Sequence, residues 1–296
     1  MEADITLSSL PVYKALASPV RLRIIQKLSA RKMSVHDLSS ELGLSGTIVL
    51  QHLNKLADAG IIKFERIGHN KVSRLTVDNI NVHFPQTIYP EFDSYKTEVP
   101  VGHFTNFSVK PSCGLAGKTD YIGKVDNAAY FMDPDRISAG MIWWCNGFVE
   151  YQFPNYLTAK NNVEMLDLAM ELGSEFPFSN NVWPSDITFY INGTEIGTWT
   201  APGDFSDTRG KYTPEWVPDN VNQYGILKTL RLTHDGSFLD GQPFTDVKLE
   251  DIDTSRDTFA VRLGIKKNAK NNGGCTIFGR GFGNYNQDIE MKLFYS

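Results

Sequence analysis

The sequence predicts a multidomain α+β protein: a small helical domain closed by a two-stranded hairpin, then a large antiparallel β-sandwich of jelly-roll type. Three observations lead there. A chain of 296 residues is long for one core and comfortable for two. Charge divides along it: residues 1–80 hold 11 Lys and Arg against 7 Asp and Glu, the remainder 18 against 27. Aromatics divide more sharply, with Tyr13 and Phe64 alone in the first 80 residues and 33 of the 35 Phe, Tyr and Trp after them. A basic first domain could sit on a polyanion, and an acidic second one would point away from it.

With 41% hydrophobic and 21% charged residues, the composition is that of a folded, soluble protein. No apolar run is long enough to span a membrane, and Met1-Glu2-Ala3-Asp4 lacks the basic and apolar regions of a signal peptide. Cys113, Cys145 and Cys275 are far apart and odd in number, which fits a reducing cytoplasm better than a disulfide framework. A cytoplasmic protein without a membrane partner is the expectation.

The first helix is expected within residues 8–17, with Pro11 in its first turn, where a missing N–H costs nothing, and Val12, Ala15 and Leu16 as a short apolar stripe. Ser18-Pro19 opens a second helix, expected to bury Leu22, Ile25 and Leu28 and to leave Arg21, Arg23, Lys27 and Arg31 outside. Ser34 with Asp37 three residues on is a capping-box variant, opening a short helix that stops at Gly43. Only Leu44 separates that stop from Ser45, which caps a helix running to Gly60 with Val49, Leu53 and Leu56 as its buried stripe. Thr47, Leu50, Gln51 and Asn54 are left on the far side, a nearly charge-free face able to read base edges or simply to be solvated. The period then changes: 61–67 reads as a strand, Gly68-His69-Asn70 as a turn and 71–77 as a returning strand. Helix, tight turn, helix and hairpin together read as a winged helix-turn-helix over residues 1–80. Arg66, His69, Asn70 and Lys71 gather at the wing tip, within reach of phosphates or a minor groove.

The segments ALASPVRLRIIQKL, VHDLSSELGLSGTIVLQHLNKLADAGII and GHNKVSRL resemble the ArsR-type winged-helix regulators over residues 10–77, about a quarter of the chain. The resemblance implies a homodimer on pseudo-palindromic operator DNA. It puts Thr47, Leu50, Gln51 and His52 where the family's DNA-facing residues lie, and Asn54 and Lys55 complete the candidate set. Two assignments stay open. Leu50 stands where many members are polar and either meets a thymine methyl or packs inward, and His52 either touches DNA or supports the helix. Many relatives sense metals through cysteines in the preceding helix, here 35–42, but no Cys occurs before Cys113. His36 and Asp37 are adjacent and diverge on a helix surface, so no metal and no cofactor is expected.

Residues 81–95 lose periodicity and read as a linker, and 96–296 as the sandwich. Within it, 163–172 alternates with Leu166, Leu168, Met170 and Leu172 on one face, and Asn192-Gly193 is a strong hairpin turn between 185–191 and 194–199. Strands follow at 225–233, 258–266, 275–279 and 288–295, and no strand-plus-long-helix repeat suggests a Rossmann or barrel enzyme. Gly279-Arg280-Gly281-Phe282-Gly283 lacks a following helix and reads as a tight turn, not a phosphate loop.

Aromatics beside carboxylates and amides suit a sugar, whose C–H face stacks while its hydroxyls need polar partners. The candidate ligand residues are Trp144, Trp183, Trp199, Asp204, Asp207, Arg209, Glu215 and Trp216, a set faintly similar to carbohydrate-binding β-sandwiches. Together these readings describe a ligand-responsive DNA-binding transcription regulator, not an enzyme, sensing a carbohydrate or related metabolite and not a metal. The alternative is a carbohydrate-active enzyme with an accessory nucleic-acid-binding domain. Glu150, Glu164, Glu171, Asp186, Asp204 and Glu215 supply the carboxylates it would need, although no spacing places any two of them at a working separation.

Overall fold

The computed structural model describes residues 1–67, 70–77, 79–84, 92–158 and 160–296. They form two units, Met1–Glu91 and Phe92–Ser296.

The first unit runs β1 (Glu2–Asp4), α1 (Leu10–Leu16), α2 (Pro19–Ala30), β2 (Met33–Ser34), α3 (Val35–Leu42), α4 (Gly46–Asp58), β3 (Ile62–Ile67), β4 (Asn70–Leu75) and β5 (Asn81–His83). The Ser34 box forms in full: its hydroxyl accepts from the Asp37 N–H, and the Asp37 carboxylate accepts from the Ser34 N–H. Gly43 at φ 65° stops α3, and Gly60 at φ 72° follows the end of α4. Ser45 caps α4 through the Ile48 N–H at 3.4 Å. Val49, Leu53 and Leu56 are fully buried against Ile24, Leu28, Leu38 and Ile62. The wing is antiparallel, with Arg66 opposite Lys71, and β2 adds a third strand on the β4 side.

The row expected for α2 needs correction. Ile24 and Leu28 are buried, whereas Leu22 is exposed and Ile25 half-buried. Arg21, expected outside, is buried. Its Nε and Nη2 donate to the carbonyls of Ala15 and Lys14, at the end of α1 where helix carbonyls lack partners. Residues 81–83, expected in a linker, form β5 and pair in parallel with β1, while 93–95 open the first strand of the second unit.

That unit is built from β6 (Asp93–Val99), β7 (Asn106–Ala116), β8 (Met141–Pro154), β9 (Val163–Gly173), β10 (Ser185–Ile191), β11 (Thr194–Ala201), β12 (Ile226–Thr233), β13 (Gly236–Leu239), β14 (Gln242–Thr245), β15 (Thr258–Ile265), β16 (Cys275–Phe278) and β17 (Ile289–Tyr295). All twelve join one antiparallel network ordered β11-β10-β15-β8-β16-β9-β12-β13-β14, with β17 and β6 off β9 and β7 off β8. The long strands β8 and β9 each change neighbours midway. β8 pairs β16 through 141–144 and β15 through 147–154; β9 pairs β17 through 163–169 and β16 through 171–173. Strands that switch partners turn corners, which folds the sheet over one apolar core in sandwich fashion. Leu166, Leu168, Met170 and Leu172 face that core, as their alternation requires. The Asn192-Gly193 turn has φ 51° and 85°, the paired positive values of a two-residue hairpin. Residues 279–283 are turn and bend, with no helix after them.

Candidate nucleic-acid interface and ligand pocket

On α4 the buried stripe leaves Thr47, Leu50, Gln51, Asn54 and Lys55 exposed, together with Ile48, which the sequence reading passed over. Leu50 is 38% exposed and therefore does not fill the core. His52 is half-buried on the flank of the helix, with Nδ1 3.4 Å from Arg21 Nη1. Partial burial, then the nearby charges of Arg21 and Lys55, hold its pKa below the usual histidine value, so the neutral ring accepts from the guanidinium. Arg21 thus ties the end of α1 to the middle of α4.

In the wing, Arg66 and Lys71 are exposed and adjacent across the hairpin, and Lys71 Nζ lies 3.8 Å from the centre of the Phe64 ring. His69 lies outside the described residues, as does the side chain of Asn70. The unit's cations divide into two sets. Lys27 and Arg31 pair with Glu41, and Lys32 and Arg74 with Glu65. Among the described residues, no carboxylate pairs with Lys55, Arg66 or Lys71, so their charge remains available to a polyanion. Also among the described residues, no three His, Cys, Asp or Glu converge as metal ligands.

The ligand residues expected in the second unit do not share one site. Trp144 is fully buried in the core. Trp199 is half-buried beneath Lys228, whose Nζ is 4.7 Å from the ring centre. Trp183 packs edge-on against Phe176, and Trp216 against Tyr121 with its Nε1 donating to the Lys118 carbonyl. Arg209 is committed to its own loop, donating to the carbonyls of Pro214, Glu215 and Val217 and pairing with Asp219. Asp207 accepts from the Tyr224 hydroxyl, and Glu215 is exposed.

Asp204, expected at a loop tip, is completely buried. One oxygen accepts from the Phe176 N–H, and burial pushes its pKa up to about 7. The folded chain therefore holds a proton that the unfolded chain releases near pH 4. Its contribution to stability is full below about pH 4 and is lost as pH rises to about 7. Urea midpoints measured across that window should fall with pH in the natural chain, and Asp204→Asn should flatten that part of the profile. An unchanged slope in the variant would refute the assignment.

Other carboxylates that an enzyme would require are occupied structurally. Glu150 pairs with Arg262, Glu164 meets His234, and Asp186 accepts from Asn271. Glu171 is buried and accepts from the backbone N–H groups of Gly225, Asn284 and Tyr285.

A cavity of about 200 Å³ opens elsewhere in this unit, lined by Tyr121, Trp143 and Phe176, by the buried Glu175 and Asn222, and by the exposed Asp126 at its edge. It uses Trp143, not Trp144: the two point to opposite faces of β8, and pairing Trp144 with Cys113 turns Trp144 inward. Trp143 lies over Gly114 on β7, where an added Cβ would come within 2.2 Å of the indole, so only glycine leaves room for the ring. Glu175 stands two residues past the end of β9, Ser112 Oγ donates to it at 2.7 Å, and burial raises its pKa well above the usual carboxylate range. The sequence reading missed this pocket. Its one signal was an acid flanked by apolar neighbours, Glu175-Phe176-Pro177-Phe178.

Residues 18–63 match the family described as bacterial regulatory protein, arsR family. Among curated proteins, the chain is 39% identical over 64 residues to the HTH-type transcriptional repressor SmtB of Mycobacterium tuberculosis, covering 22% of this chain and 47% of that protein. It is 32% identical over 69 residues to the HTH-type transcriptional regulator KmtR of the same organism, covering 23% and 53%. The chain thus spans about half the length of these relatives. Among solved structures, HlyU from Vibrio cholerae is 30% identical at a TM-score of 0.23, covering 24% of this chain and 76% of that one. The homodimeric winged helix-turn-helix DNA-binding domain of a possible ArsR-family regulator from Mycobacterium bovis is 26% identical at 0.24, covering 24% and 68%. SmtB and KmtR are named as a transcriptional repressor and a transcriptional regulator. By its sequence match and its order of elements, the first unit of this chain is a winged helix-turn-helix domain of the arsR family of bacterial regulatory proteins.

Proposed function

We propose that the protein is a ligand-responsive, DNA-binding transcription regulator without catalytic activity of its own. It acts as a homodimer that lays two copies of α4 in the major groove of a pseudo-palindromic operator, one helical turn apart. The observation that carries this reading is the exposed face of α4, where Thr47, Gln51 and Asn54 offer hydroxyl and amide groups of the kind that bond base edges. Lys55, Arg66 and Lys71 supply phosphate contacts, with His69 and Asn70 adding to them, and His52 braces the helix through Arg21. The second unit receives the effector, a carbohydrate or related small metabolite with a ring face, in the Trp143–Glu175 pocket and not at the residues first expected. Coupling requires that occupancy alter the separation of the two reading helices.

Titrating the full chain with a selected operator at several salt concentrations tests the reading. Binding that weakens linearly in log salt is expected. Lys71→Ala should weaken specific and random DNA alike and lower the salt slope by about 1. A folded protein that binds no DNA at low salt would sink the proposal.

A further inference from the structure

The pocket in the second unit carries a chemical asymmetry. It offers hydrogen-bond acceptors, and among the described residues no Lys, Arg or His lines it. Glu175 is 8% exposed; its Oε1 accepts from Ser112 at 2.7 Å, and its Oε2 lies 3.4 Å from Thr276 Oγ1, whose single proton has a nearer acceptor in the Ser174 carbonyl at 3.0 Å. Asn222 is 5% exposed, and its Nδ2 is taken by the Ser174 carbonyl and by Thr276 Oγ1, each at 3.1 Å. That orients the amide and leaves Oδ1 buried with no partner. Thr276 Oγ1 thus lies between Asn222 Nδ2 and the Glu175 carboxyl, and both side chains line the one cavity. The titratable groups facing Glu175 are Asp126 and Asp204, with the thiols of Cys113, Cys145 and Cys275. Every one is an acid. A buried carboxyl with only acidic neighbours lacks the cation that would compensate it.

The walls supply what an organic cation prefers. Trp143 and Tyr121 meet edge to face at 6.0 Å, and Phe176 adds a third ring to the lining. Aromatic faces attract an ammonium group electrostatically, most strongly where water is excluded. The volume of about 200 Å³ exceeds the roughly 150 Å³ that accommodates benzene in an apolar cavity. One six-membered ring with a few substituents fits.

We propose that this pocket binds a small organic ammonium compound, its N–H groups directed at the Glu175 carboxylate and Asn222 Oδ1 and its ring laid against Trp143 and Tyr121. The proposal rests on the reading of the second unit as the effector-binding part, and it narrows the effector to an amine-bearing metabolite such as an amino sugar. Burial favours the neutral form of Glu175 in the empty pocket. The cation binds the ionised form, so one proton leaves the Glu175 carboxyl for solvent as the ammonium group arrives. Affinity consequently rises with pH until the pH passes the carboxyl's value in the empty pocket, provided the amine stays protonated.

Calorimetric titration of the full chain with two matched pairs of probes tests this: benzylammonium against benzyl alcohol, and glucosamine against glucose. The charged member of each pair should bind roughly tenfold more tightly or better. Its heat should vary with the ionisation enthalpy of the buffer, as proton release requires. Glu175→Gln has the shape of the protonated acid, so it should keep the melting temperature while losing the preference for charge. Asp126→Asn, at the pocket edge, gives a second reading should the first variant fold poorly, and should weaken the charged probes alone. Equal binding within each pair, absence of proton release, or failure of both charged probes at millimolar concentration would overturn the inference. Glucose binding without glucosamine preference would overturn it while leaving the effector reading in place. Operator titration of the same samples reads the DNA-binding proposal separately.

Discussion

Glu171→Ala should destabilise the second unit by about 3–5 kcal/mol, among the largest effects expected of any single substitution in it. Glu171 is completely buried on β9. Its carboxylate accepts from the Gly225 N–H at 2.8 Å, from Asn284 at 2.9 and 3.1 Å, and from Tyr285 at 3.0 Å. These donors belong to two separate loops, so one side chain satisfies a buried N–H of one loop and two part-buried N–H groups of the other. Removing it strands each N–H at a cost of about 1–3 kcal/mol. Glu171→Gln preserves the volume but turns an acceptor into a donor facing other donors, and should lie between the natural chain and alanine. The urea midpoint at unchanged slope measures the effect, and a loss below about 1 kcal/mol would mean that the loops are held by other contacts. The consequence reaches the pocket. Glu175 lies four residues along the same segment, and Asn222 three residues before Gly225. Ligand binding should therefore weaken together with stability in this variant.

What could be read from the sequence, and what could not, follows from the range of the interactions involved. Helix caps and stops are local, and Ser34 with Asp37, Gly43 and Ser45 were legible because each bond closes within a few residues. The alternating face of β9 was legible for a related reason: one-sided burial writes a period of two into the chain. Arg21 defeated the same logic. A periodicity count places an arginine outside, yet this one lies inside because the last carbonyls of α1 need donors. The pairing of β1 with β5 joins residues nearly 80 positions apart in parallel three-residue segments, too short to leave a pattern. The choice between Trp143 and Trp144 shows the limit most directly. Alternation says that one faces in and one out, but the register against Cys113 and Gly114 decides which. The pocket was missed accordingly, since Ser112, Glu175, Asn222 and Thr276 converge from four separate parts of the chain.

Gln51→Ala should reduce discrimination between the operator and a site changed at one base by roughly 5- to 140-fold, the equivalent of about 1–3 kcal/mol for a lost base contact. The magnitude follows from geometry. Gln51 is exposed on α4, one turn from Thr47, while Val49 and Leu53 on the opposite stripe anchor the helix. Losing an exposed amide costs the fold little, so the melting temperature should stay within about a degree or two. Thr47→Ala should act on a neighbouring base in the same sense, with a smaller effect because a hydroxyl forms one bond where an amide can form two. Leu50 separates two kinds of contact. Exposed at 38%, it can add only apolar surface to the interface, so Leu50→Ala should lower affinity solely where a thymine methyl lies beneath it. Competition binding to a panel of singly substituted operators measures all three. Were Gln51→Ala to weaken every sequence equally, the face of α4 would be holding phosphates and not reading bases, and specificity would have to come from the wing or from the shape of the DNA.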